Sequence, residues 1–197
     1  MKSQNFEFLR VRRALLADLG GFAEAYAHSD PASALLKMRT ILEVMVDEIF
    51  TVYRLQRPYS ENLSDLLNVE SFRQAVPEIV QEKLHAVRKA GNTAAHATKK
   101  AVTPALALER LQTTYDLSVW FHLQIDHGDR AACRPYQAPP PAPATNGKAK
   151  EALEKLRLAE ARYEALLNDL NEERKRRVAA EAAAAATEAE NLARKAE

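Results

Sequence analysis

Apolar residues recur along this chain at spacings of three and four, the signature of helices with one buried face. From Asn5 to His28 the stripe runs through Phe8, Val11, Leu15, Leu16, Leu19, Phe22 and Tyr26. Gly20-Gly21 interrupts it, which predicts two short helices or one kinked helix. Phe6 and Phe8 read as an aromatic plug at the entrance. At Ser29-Asp30-Pro31 a capping side chain precedes a proline suited to a first helical turn. The helix this opens, at about 31–55, has the widest apolar face: Ala34, Leu35, Met38, Ile41, Leu42, Met45, Val46, Ile49, Phe50 and Tyr53. It should be the most buried element. Arg57-Pro58-Tyr59-Ser60 ends it, with Ser60 as the next cap, and Leu63, Leu66 and Leu67 mark a short helix to about Asn68. Phe72, Val76, Ile79 and Val80 form another apolar set, with Pro77 at a helix start or kink, and a helix follows through about Ala97. Thr103-Pro104 opens the last one, which runs to about Ile125 with Trp120 and Phe121 expected near the first helix.

Beyond Ile125 the pattern changes. Residues 126–147 hold Gly128, Pro135 and the run PPPAPAT, and read as an extended, poorly packed proline-rich linker. Residues 148–197 are charged, alanine-rich and helix-prone. Leu156, Tyr163, Leu167 and Leu170 keep a seven-residue spacing for about two heptads, too few for a sustained coiled coil. The seam dissolves into Arg174-Lys175-Arg176-Arg177, a basic run flanked by Glu172, Glu173 and Glu181 that suits a solvated helix face better than a phosphate site. The expected fold class is therefore all-α. It comprises a helical bundle over 1–125, a linker over 126–147 and a long charged helix, or weak coiled coil, over 148–197.

Composition narrows the function classes. An apolar content of 47% supports a core, and a formal net charge of +1 gives no whole-molecule steering toward nucleic acid or anionic membrane. Any such partner must meet a local patch. Cys133 is the single cysteine, which excludes an intrachain disulfide and fits a reducing, cytoplasmic compartment. No apolar run approaches the ~20 residues a membrane span needs, so no membrane partner is expected. No phosphate loop, GxGxxG turn, HExxH helix or EF-hand loop occurs, and no cofactor or metal is implied. His122 and His127 are five apart, a poor helical metal pair, and read as surface histidines.

The candidate chemistry lies in the segment LHAVRKAGNTAAH, residues 84–96. Arg88, Asn92 and His96 are four apart, so a helix sets them on one face, rising about 6 Å per step. Gly91 sits inside the row at a cost of roughly 1 kcal/mol against alanine, which suggests a close backbone or ligand approach. Arg39 and Glu43, at i,i+4 on the broad apolar helix, are either a solvated pair or partners of the row. Two readings of the five residues stand side by side. In one they close a helix–helix contact. In the other, His96 moves the proton of a ribose 2′-hydroxyl while Arg88 holds the scissile phosphate, in a cleft that a two-fold dimer supplies.

Four ordered blocks, NFEFL, SDPASALLKMRTILEVMV, LHAVRKAGNTAAH and DLSVWF, resemble the helical N-terminal domain of type I restriction enzyme R subunits and related DEAD/DEAH helicases. That domain is also grouped with a domain-of-unknown-function family and is similar to the wider HEPN superfamily. The likeness covers about residues 5–125. It implies an interaction or regulatory module of a larger DNA-restriction, phage-defence protein whose nuclease and helicase motifs lie outside this chain. The implied partners are other domains or subunits of a restriction complex, with nucleic acid and a second copy of the chain as further candidates. The alternative it implies is a metal-independent HEPN-type ribonuclease acting through Arg88 and His96. Here seven residues separate those two, a wider spacing than active members show.

Overall fold

The computed structural model describes residues 1–60, 62–96 and 102–141, and in the C-terminal segment residues 154, 158, 161, 162, 165, 168, 172 and 176. Two compact units divide at Ala142/Pro143. In the first, six α-helices follow one another: α1 (Ala14–Tyr26), α2 (Pro31–Val52), α3 (Leu63–Asn68), α4 (Glu70–Ala75), α5 (Glu78–His96) and α6 (Pro104–Gln124). Among the described residues there is no strand, and the all-α class stands. In the second unit the described residues are helical and exposed. The heptad positions Leu156, Tyr163, Leu167 and Leu170, and the basic run apart from Arg176, lie outside the described residues.

α2 is the central element, packed against α1, α5 and α6. Its start follows from local chemistry: the Asp30 carboxylate accepts the Ser33 N–H at 3.2 Å, and Pro31 occupies the first turn, where no donor is lost. Leu35, Met38, Ile41, Leu42, Met45, Val46, Ile49 and Phe50 are all buried, as the wide stripe requires. Phe50 stacks on Phe72 of α4 with ring centroids 5.5 Å apart, a contact worth about 1 kcal/mol beyond its area. The α3 cap is Asn62 rather than Ser60. The Asn62 carboxamide accepts the Asp65 N–H at 2.9 Å, and the Ser60 hydroxyl accepts a hydrogen bond from Asn62 Nδ2 at 2.8 Å. Pro77 precedes α5 and ends the α4 turn, and the Thr103 hydroxyl accepts the Leu106 N–H at 3.2 Å to cap α6.

The first stripe folds differently from its periodicity. α1 is one helix that runs through Gly20-Gly21, and residues before it form a loop with a 3-10 turn at Glu7–Leu9. The glycine pair serves contact rather than bending. A Cβ at Gly20 would lie 2.4 Å from Phe6 Cγ, so the fully buried Phe6 side chain packs directly against the helix backbone there. Glu24, near the end of α1, holds the loop. Its buried carboxylate accepts from Ser3 Oγ (3.0 Å), Gln4 N (2.8 Å), Asn5 N (2.7 Å) and Asn5 Nδ2 (2.8 Å).

The proline-rich segment is likewise part of the body up to Pro141, not a free spacer. Asn5 and Gln137 pair reciprocally, Asn5 Nδ2 donating to Gln137 O at 2.9 Å and Gln137 N to Asn5 Oδ1 at 2.8 Å. His28 Nε2 bonds Pro139 O at 2.9 Å, and the Tyr115 hydroxyl donates to Arg134 O. Tyr136 packs against Tyr115 with centroids 5.5 Å apart, and its burial, with the Glu24 carboxylate adding, pushes its phenol up to about 12. Backbone polar groups that meet partners along a strap no longer need water, which lets a proline-containing segment lie against a helical body. His122 is also a correction: it is 6% exposed, edge-on to Phe8 at 5.2 Å, whereas His127 is exposed. Phe121 is buried under the Arg13 guanidinium, 5.6 Å from the ring centroid, and Trp120 is half-buried. Arg13 also pairs with Glu48 at 3.0 Å and with the buried Asp126 at 2.8 Å, joining the approach to α1, α2 and the end of α6.

Candidate functional site

α5 carries the polar row. Its apolar face, Val80, Leu84, Val87 and Ala90, is buried against the bundle. One step around the helix the row meets α2 and divides. Arg39 Nη1 donates to Asn92 Oδ1 at 2.5 Å, while Arg39 Nε donates to Glu43 Oε1 at 2.9 Å. Beneath this bridge lies Gly91, whose added Cβ would sit 2.7 Å from Arg39 Cβ. The glycine expected to permit a close approach thus permits the stem of Arg39, and three of the five candidate residues are joined in a helix–helix contact. An arginine between a carboxylate and a carboxamide fixes the register of α2 against α5 and leaves Asn92 Oδ1 occupied.

Arg88 is not in that bridge. It lines an open groove with a cavity volume of about 790 Å³, together with Asn68, Glu82, His85, Lys89, Thr93, Leu106 and Arg110. Arg88 Nε is buried with no hydrogen-bond partner, and Arg88 makes no ion pair among the described residues. Arg110, on α6, also has a buried, unpartnered Nε, and its Nη1 lies 3.2 Å from Glu109 Oε1. His96 is the last residue of α5, and its side chain lies outside the described residues.

Three charged or titratable groove residues that matter here, His85, Lys89 and Arg110, escaped the row Arg88-Asn92-His96. His85 lies three residues before Arg88 and four before Lys89, so helical spacing alone places the three together, on the row beside the one singled out. Burial holds the His85 imidazole below the ordinary histidine range, and the charges of Arg88 and Lys89 add to this. A histidine so placed is neutral near pH 7, an acceptor or base in waiting. Arg110 comes from another helix, and nothing in its local sequence marks it. Cys133, half-buried, has its thiol pushed up by burial, with Asp129 adding to the rise and Arg130 opposing it, so it is not an activated nucleophile. Among the described residues no group of three or more His, Cys, Asp or Glu is placed to hold a metal ion, and no helix is long and apolar enough to cross a membrane.

Residues 22–118 match the family model of a domain of unknown function, DUF4145. The matched span, just under half the chain, contains the Arg39–Asn92 bridge and every lining residue of the groove. No curated protein and no solved structure matches the chain.

Proposed function

We propose that this chain is a non-catalytic docking module of HEPN-like architecture, the N-terminal part of a cytoplasmic restriction protein of the type I R kind. The observation that carries the reading is the Arg39–Asn92 bridge. It commits Asn92, the middle residue of the row, to packing α5 on α2, whereas a catalytic row would keep that carboxamide free for a substrate. The ordered resemblance of four blocks supports the parent class. Deleting residues 1–141 from the complete restriction protein should abolish subunit assembly or DNA engagement while ATP hydrolysis by the motor persists. Assembly, DNA binding and restriction that all survive the deletion would end this reading.

One observation favours a second reading, a metal-independent ribonuclease: Arg88 stands in an open groove without an ionic partner among the described residues. That reading requires RNA cleavage in EDTA that stops in His96→Ala. RNA recovered intact in EDTA removes it.

A further inference from the structure

We propose that the groove between α5 and α6 binds the phosphodiester backbone of a nucleic-acid strand, with Arg88 and Arg110 as forked donors and Lys89 as a mobile charge. The partner is inferred from four features of the groove. First, the charge is local. Arg88, Lys89 and Arg110 face a single lining carboxylate, Glu82, in a protein whose formal net charge is only +1. Glu109 holds one edge of Arg110 and leaves the rest of its guanidinium to a ligand.

Second, two guanidinium Nε atoms, on different helices, are buried and have no acceptor. A planar guanidinium offers donors in a fixed fork that suits phosphate oxygens. Third, the groove is open and holds about 790 Å³, room for more than one phosphate group with a sugar between. Fourth, its lining contains no Phe, Tyr or Trp. Strand binders that read bases stack them on aromatic rings, so contact here falls on the backbone and carries little sequence preference.

His85 gives the site a dependence on pH. It is faced by Glu82, Arg88 and Lys89 on its own helix, by Arg110 of α6 and by the uncharged Asn68 of α3. Empty, burial first and then the charges of Arg88 and Lys89 disfavour imidazolium. A phosphate in the groove reverses the local sign, so strand binding takes up a proton on His85 and tightens as pH falls. The inference rests on the docking reading only in giving the groove no chemistry of its own.

The test is fluorescence anisotropy of the full chain with short labelled DNA and RNA strands of several sequences. Three cations predict a slope of log K against log salt of about −2 to −3. Arg88→Gln/Arg110→Gln should bind at least about tenfold more weakly and with a slope shallower by about one unit per charge removed. Lys89→Gln, at an exposed position, should show the same loss to a smaller degree, even where the double variant folds poorly. Affinity should rise from about pH 8 to about pH 6, and His85→Gln should flatten that rise. Neutralising the tail run 174–177 to glutamine should leave binding within about twofold. The proposal is overturned by groove variants that bind like wild type, by loss confined to the tail variant, or by binding of inorganic phosphate or a free nucleotide without the strands. Strands that bind and are then cut in EDTA keep the site and overturn the docking reading, so the two failures are separable.

Discussion

Gly20→Ala tests how the N-terminal loop is built. Helix propensity alone says that alanine at this position inside α1 stabilises the protein by up to about 1 kcal/mol. The tertiary contacts say the reverse. The new Cβ falls 2.4 Å from Phe6 Cγ, 2.5 Å from Cδ2 and 2.6 Å from Cβ. Carbon contacts settle at about 3.5–4.0 Å, so the loop and helix must part by about 1 Å. Phe6 has nowhere to go: it is 0% exposed, its N–H donates to Ser3 Oγ at 2.8 Å, and its ring meets Tyr115 edge-on at 6.1 Å. If the core strains to accommodate the methyl group, the cost is about 1–3 kcal/mol; if the ring is expelled, about 3–5 kcal/mol. Net of the propensity gain, Gly20→Ala should destabilise by about 0–4 kcal/mol rather than stabilise. Urea unfolding followed by circular dichroism reads this directly, and the melting temperature should drop by about 2–4 °C per kcal/mol. In a Phe6→Gly background all three contacts vanish, and Gly20→Ala should then stabilise. A wild-type background that gains about 1 kcal/mol from Gly20→Ala would refute the reasoning.

Other outcomes follow from the same contacts. Glu24→Ala removes the acceptor shared by Ser3, Gln4 and Asn5 and should cost about 2–4 kcal/mol in urea unfolding, with earlier proteolysis of the first residues and of the 134–140 strap. Asn92→Leu takes one partner from the half-exposed Arg39 and should cost about 1 kcal/mol, a loss that shrinks in an Arg39→Ala background because the two act as a pair. Burial holds His85 below its ordinary value, so the unfolded chain binds the proton more readily. The stability this contributes is present above about pH 6.5 and is lost as pH falls through the lower folded value. Wild-type unfolding free energy should therefore fall relative to that of His85→Gln as pH drops from about 7 to 5, and a constant difference would count against it.

Much of this fold is legible in residue order because helices are local objects. The Asp30-Pro31 and Thr103-Pro104 starts need only neighbours within one turn, and the α2 stripe announces its own burial through its period. The Arg88-Asn92-His96 row on α5 and the Arg39–Glu43 pair on α2 are each legible as spacing too. Where such reading failed, the deciding partner lay far along the chain. Gly20-Gly21 looks like a break until Phe6 is laid across it. The proline segment looks like a spacer until Gln137 meets Asn5, 132 residues away. His122 looks like a surface residue until Phe8 covers it.

The chain's own order thus determined the capped starts of α2 and α6, the buried face of α2 and the presence of a polar row, since each depends on contacts within a few residues. Only the tertiary structure decided what each polar group faces. It tied Asn92 to Arg39, left Arg88 in the groove, and brought Arg110 from a different helix to join His85 and Lys89 there. The physical reason is that electrostatics and hydrogen bonding act over a few ångströms of space, and proximity in space between helices is not written in the spacing of either one.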